Sequence, residues 1–421
     1  MKSIHHEPTR IFSRDLSYFA DRAEGLVAVV RDGLSDALHQ VRIWHPTRHN
    51  ASNEALRLGF TLHDAQLVYA RQHGFVDWTA LARHLSSIAQ NAEGEPFLAA
   101  FEAGRQGNWQ RAEAIVAAHP EVVRVRGTNG NTMLNLASSL CACPTRQELE
   151  AGTTRPGRLT PVQLLLKSGA DVNVANDRGW TPLHQAAYRN DPGMVQLFLA
   201  AGATVNRVAH GAGGTPLAVA AFWGHRASVD VLAHLDVVPA NLRIAASVGR
   251  RDLVSACFDA DGALTKAATA DRAFYRPHSG FPAWSPSDDR QEVLDEALVW
   301  AAKSGRLDVL GLLLEHGAQV DGAPYRGTPL VWAAANGCDD TIHWLLDHGA
   351  NINLRTTFGG LSHGSGVTAL HLAAQSNRVR AVRALLDRGA DASIEDALYR
   401  STPRGWAEHE GAMEALQLFQ V

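Results

Sequence analysis

One phrase, Gly179-Trp180-Thr181-Pro182-Leu183-His184-Gln185-Ala186-Ala187, keeps returning along this chain. Thr215-Pro216-Leu217, Thr328-Pro329-Leu330-Val331-Trp332-Ala333-Ala334 and Thr368-Ala369-Leu370-His371-Leu372-Ala373-Ala374 repeat it. An apolar pair, and in most copies Gly-Ala, follows each at nearly constant distance. Recurrence at a fixed period marks a solenoid, whose units bury their apolar faces only against their neighbours. The architecture follows; a chemistry does not.

The unit reads as two short antiparallel helices and a turn. Thr181 caps the first helix, and Pro182 sits at the first helical position, where a missing N–H costs nothing. Leu183, Ala186 and Ala187 follow at helical spacing. Met194, Val195, Phe198 and Leu199 form the stripe of the second helix, and Gly202 ends it. The phrase resembles the ankyrin repeat, a unit of about 33 residues with Thr-Pro-Leu-His near its start. Thr181 and Thr215 are 34 residues apart. Leu312-Leu313-Leu314-Glu315-His316-Gly317-Ala318, Leu345-Leu346-Asp347-His348-Gly349-Ala350 and Leu385-Leu386-Asp387-Arg388-Gly389-Ala390-Asp391 extend the match. The resemblance covers roughly residues 97–420. It implies an all-α ankyrin solenoid of about eight to nine helix-turn-helix units. It also implies a bacterial type with a helical leader, and a concave groove that grips a protein.

Residues 1–95 do not follow the period. A helical pattern over Leu16–Val30, then His63–Phe75 and Asp77–Leu85, predicts an N-terminal helical cap ahead of an array over 96–421. Net charge is −4 and charged residues make up 19%. That balance points away from nucleic acid and from anionic membranes. No apolar run has the length of a membrane span, and the N-terminus is not a secretory signal. A cytoplasmic protein is expected.

The period fails near 139–160, 263–290 and 355–366. Residues 271–290 carry three prolines and four aromatics, which predicts a stiff loop folded back on the groove. The 355–366 stretch lengthens a finger and is rich in glycine. A groove roofed in this way becomes a pocket, where small ligands bind.

The register places Tyr188, Arg189, Phe222 and Trp223 on the groove, and aromatics and arginine dominate interface energies. Trp284, Tyr325 and Arg326 join them from an insertion and a finger. For catalysis the candidates are His278, His363, Asp288 and Tyr275, since a histidine beside carboxylates is the usual acid–base pair. No ordered catalytic motif ties them together. Cys141-Ala142-Cys143 lacks a second pair, so no metal is expected, and no cofactor is implied. His184 and His371 read as structural. Trp300, Trp332 and Trp406 share one register position and read as a packing ladder.

Two functions stay open. One is a binding protein that recognises a protein partner through its concave groove. The other is a small-molecule-binding protein or cofactor-independent hydrolase or lyase, with its pocket formed by 271–290 and 355–366. No nucleic-acid or membrane partner is expected in either case.

Overall fold

Several first helices of the array start where a threonine precedes a proline. The hydroxyls of Thr215, Thr328 and Thr402 accept from the N–H groups of Ala218, Val331 and Gly405. The helices Pro216–Trp223, Pro329–Asn336 and Pro403–Glu410 follow, each with proline in its first turn. Where alanine replaces the proline, Thr368 and His371 cap the helix Ala369–Gln375 by a capping box. The Nδ1 of His371 accepts from the Thr368 N–H at 3.1 Å, and its Nε2 lies 3.1 Å from the Ser401 carbonyl of the next unit. His184 likewise lies 3.1 Å from the Gly214 carbonyl.

The computed structural model describes residues 15–73, 75–90, 95–127, 130–176, 178–209, 213–234, 238–273, 284–358 and 365–419. Among these, the strands are two short ones, Thr356–Thr357 and Ser365–Val367, paired antiparallel at the base of the lengthened finger. The rest of the regular structure is helical, so the fold is an all-α ankyrin solenoid. No helix of the described residues is long and apolar enough to cross a membrane.

Contacts divide the chain into two compact units. One takes in the described residues up to Ala142 and those of Pro156–Pro182; the other holds Cys143–Arg155 and Leu183–Val421. In the first, the helices Leu16–Arg31, Ser35–Trp44, Asn53–Gly59 and Leu62–Gln72 close around Leu26, Val30, Val41, Leu56 and Val68. Trp78–Gln90 packs Leu81 and Leu85 against Phe19 and Ala70. Asp64 joins these helices: it completes a capping box with Thr61, and takes His45 Nε2 at 3.0 Å and Arg48 Nη2 at 2.8 Å. Burial works against its ionisation, but the donors of Thr61 and the charge of Arg48 prevail and hold its carboxyl below the usual range.

In the second unit the first helices Pro216–Trp223, Leu242–Val248, Arg290–Lys303, Pro329–Asn336, Ala369–Gln375 and Pro403–Glu410 pack in succession. Arg290–Lys303 has 14 residues, whereas its neighbours have 7 or 8. Here the stack closes on itself. Pro216–Trp223 touches Arg290–Lys303 as well as Leu242–Val248. Asn336 Nδ2 donates to the carbonyls of Trp223 at 3.1 Å and Lys303 at 2.9 Å. Arg306 Nε donates to the Ser247 carbonyl at 2.9 Å while its Nη2 pairs with Asp230. Small residues permit the approach. A Cβ at Gly224 would collide with the Lys303 carbonyl, and one at Gly249 would lie 2.8 Å from Arg306 Cδ. Phe222, Ser247, Lys303, Ser304 and Ala335, which by register face a groove, are therefore buried.

Candidate functional site

Lys303 is the last residue of the long helix Arg290–Lys303, and only 2% of it is exposed. Its Nζ lies 4.8, 4.3 and 4.7 Å from the ring centroids of Phe222, Trp300 and Trp332. Trp300 lies one helical turn earlier, and Trp332 occupies the matching position of the next unit. The ladder of tryptophans is thus also a cage for a cation. Trp300 also carries a second cation, Arg243, whose Cζ is 4.5 Å from the ring centroid.

Arg243 belongs to a buried ionic network. Glu296 Oε1 takes Arg243 Nη1 at 2.8 Å, and Oε2 takes Arg272 Nε at 2.6 Å. Arg272 also reaches Glu292 at 3.2 Å and the Ser287 carbonyl at 2.6 Å. Two guanidinium ions face two carboxylates, so this network is neutral before Lys303 is counted. A protonated Lys303 would be a further, uncompensated charge. Burial pushes its amine well below the usual lysine range; Glu296 pulls against this and Arg243 adds to it. The three rings offset part of the penalty, roughly 0.5–2 kcal/mol each. Among the described residues no hydrogen bond reaches Nζ.

Outside the cage, a partly open cleft with a volume of only about 10 Å³, room for one water, is lined by Phe222, Glu296, Lys303, Tyr325, Arg326 and Trp332, among others. The finger that bears Tyr325 and Arg326 is pinned from within: Trp332 Nε1 donates to the Arg326 carbonyl at 2.6 Å. Arg326 lies over the Tyr325 ring at 5.1 Å, and Trp284 stacks on that same ring, with Trp284–Tyr325 centroids 5.1 Å apart.

Of the residues singled out from sequence, Phe222, Tyr325 and Arg326 meet at this cleft, and Trp284 abuts it. Phe222 is 1% exposed and presents no surface. Trp223 stands edge-on to Phe222 at 5.3 Å and to Tyr188 at 5.9 Å. Trp223, Tyr188 and Arg189 are half-buried, and burial pushes the Tyr188 phenol up to about 12 against the opposing charge of Arg189. Arg189 Nη2 reaches Cys143 Sγ at 3.0 Å. Asp288 is exposed. Tyr275, His278 and His363 lie outside the described residues, as do residues 274–283 of the 271–290 loop and the tip of the 355–366 finger. Sequence reasoning placed Lys303 on the groove by register without singling it out, and missed Glu296, Arg243 and Arg272. One signal was available: of 39 basic residues only four, Lys2, Lys167, Lys266 and Lys303, are lysine.

His225 sits beside this packing, its Nδ1 3.2 Å from the Ala187 carbonyl. Burial brings its pKa down to about 4, against the pull of that carbonyl and with help from Arg378 and Lys303. The folded state thus prefers neutral imidazole. Stability from this group is complete above 6.5 and is lost as pH falls towards about 4. Urea midpoints measured across that window should fall less in His225→Gln than in the parent chain. Parallel curves would show that His225 does not titrate in this way.

The family described as "Ankyrin repeats (3 copies)" matches residues 154–241 and 284–356, and "Ankyrin repeats (many copies)" matches 330–386. "Ankyrin repeat and SOCS box protein 3" of Homo sapiens is 36% identical over 80 residues, 18% of this chain and 15% of that protein. "Ankyrin repeat and SOCS box protein 16" of Homo sapiens is 38% identical over 101 residues, 24% of this chain and 22% of that protein. "Probable E3 ubiquitin-protein ligase XBOS32" of Oryza sativa subsp. japonica is 30% identical over 141 residues, 33% of this chain and 25% of that protein. The chain thus spans a quarter or less of the length of these relatives. The repeat spacing, the capped helix pairs and these matches agree: this chain is an ankyrin-repeat protein.

Proposed function

We propose that this chain binds a protein partner, and that Tyr188, Arg189 and Trp223 form the centre of its contact surface. Ankyrin repeats support a protein-interaction role. The observation that carries the reading is the Tyr188–Trp223 pair, two half-buried rings edge to face at the ends of consecutive first helices, with Arg189 alongside. Tyrosine, tryptophan and arginine are the residue types that carry most interface energy. Their neighbours hold them in place before any partner arrives, which lowers the entropy lost on binding. Phe222 contributes as the buried support of Trp223.

The test is capture of the partner by immobilised chain, followed by titration of parent and variants. Trp223→Ala and Tyr188→Ala should each weaken binding by about tenfold or more. Leu58→Ala, at an exposed residue of the other unit, should leave binding unchanged. Unaltered affinity in both aromatic variants would move the contact surface elsewhere.

A further inference from the structure

The outer layer of the array has a gap. Pro192–Ala200 packs on the second helix of the next unit, Arg226–Ala233. Second helices pack again in succession from Arg251–Ser255 through Leu307–Glu315 and Asp339–Asp347 to Val379–Asp387. Between Arg226–Ala233 and Arg251–Ser255 this packing thins, and Arg226–Ala233 rests instead on the first helix Leu242–Val248. Length is the cause: Arg251–Ser255 has 5 residues, where Pro192–Ala200, Leu307–Glu315 and Asp339–Asp347 have 9. The shorter helix rises about 6 Å less and ends before it covers its neighbour.

A partly open cleft of about 500 Å³ lies in this gap, a size usual for small-ligand sites. Ala233, Val238, Val248 and Leu253 form its apolar wall, and three polar side chains join them: Asp230, His234 and Arg250. Each makes a structural bond and has capacity for another. Asp230 Oδ1 pairs with Arg306, while Oδ2 lies 3.8 Å from Arg226 Nε, beyond hydrogen-bond distance. His234 Nδ1 bonds the Asp230 carbonyl; a carbonyl only accepts, so the neutral ring has its proton there and presents Nε2 as an acceptor. Arg250 gives Nε and Nη2 to Asp252 in an exposed pair, and its Nη1 adds two further donors.

The cleft thus offers a carboxylate, a guanidinium and an apolar wall. A simple anion entering it would meet Asp230, and a simple cation would meet Arg250. A zwitterion satisfies both, and a branched side chain covers the wall. We propose that this cleft binds an apolar amino-acid zwitterion, free or as a dipeptide. Its ammonium donates to Asp230 Oδ2 and His234 Nε2, its carboxylate accepts from Arg250 Nη1, and its side chain packs on Val248 and Leu253. This site uses none of the residues of the Tyr188–Trp223 surface and does not depend on a protein partner.

Titration calorimetry of the full chain tests the assignment with leucine, leucyl-leucine, isocaproate, which lacks the amine, and isoamylamine, which lacks the carboxylate. Leucine or leucyl-leucine should bind about tenfold more tightly than either single-charge probe, since a charge-assisted bond contributes roughly that factor. The tighter of the two tells the free amino acid from the dipeptide. Arg250→Gln should weaken that zwitterion by about tenfold, to the level of isoamylamine. Arg250 is exposed and its pair with Asp252 contributes little to folding, so the variant keeps its structure. Isocaproate or isoamylamine binding as tightly as leucine and its dipeptide would overturn the zwitterion. Unchanged zwitterion affinity in Arg250→Gln, or no binding of leucine or leucyl-leucine at millimolar concentration, would overturn the site.

Discussion

Glu296→Gln is expected to destabilise this protein by about 3–5 kcal/mol. The substitution preserves size and removes one charge. Arg243 and Arg272, 1% and 4% exposed, would then keep two buried guanidinium ions with one carboxylate, Glu292, reaching only Arg272. Backbone carbonyls also hold them: Arg243 donates to those of Asp271 and Arg272, each at 3.2 Å. Those bonds orient the guanidinium ions but do not neutralise them. An unpaired buried charge is far more costly than the pair was favourable. Urea unfolding of the parent and of the variant measures the loss. Glu408→Gln is the control, since its partner Arg404 and Glu408 itself are half in water and such pairs contribute little. Equal losses in the two variants would mean that water reaches the Glu296 network.

Gly224→Ala should be the second severe substitution. Gly224 has φ +69°, and a Cβ there would overlap the Asn336 amide and lie 2.9 Å from the Lys303 carbonyl carbon. Backbone cannot swing aside as a side chain can, so the first helices of three units would have to separate. Gly202→Ala isolates the conformational part: it has φ +85° and nothing within 4 Å of a built Cβ. That control should cost about 1–2 kcal/mol, the ordinary penalty for an L-residue in the left-handed region. Gly224→Ala should exceed it by at least about 2 kcal/mol, in the range reserved for overpacking. Matching unfolding midpoints would show that the units are not in the close contact described above.

Local interactions were readable before any coordinates. Thr215 and Thr328 reach N–H groups three residues on, so their caps are written in adjacent letters. The same logic applies to Thr145 and Glu148, whose capping box starts the helix Arg146–Ala151 inside the 139–160 stretch. That signal was present in the sequence and passed over. The cleft was a different matter. Lys303 shares its register position with Ala335 and Gln375, where the repeat pattern implies a surface facing a groove. What buries it is the approach of Gly224 and the reach of Asn336, contacts made across the array. Glu296 finds Arg243 across 53 residues and Arg272 across 24, and no periodicity encodes such pairings. The aromatic residues were recognised as a group, but the pattern did not say which of them turn inward.

An array held only by adjacent contacts unfolds like a row of separable bricks, each unit leaving without its more distant neighbours. The bond from Asn336 to Trp223 spans 113 residues, and Arg306 reaches Asp230 across 76. The stretch between Pro216 and Asn336 is therefore a knot of non-local order within an otherwise sequential stack. It cannot form until its far ends have met, so the entropy of closing that long loop falls on the folding barrier. Among the described residues the units after Cys338 carry no such long-range bond, so they can unfold without first opening that knot.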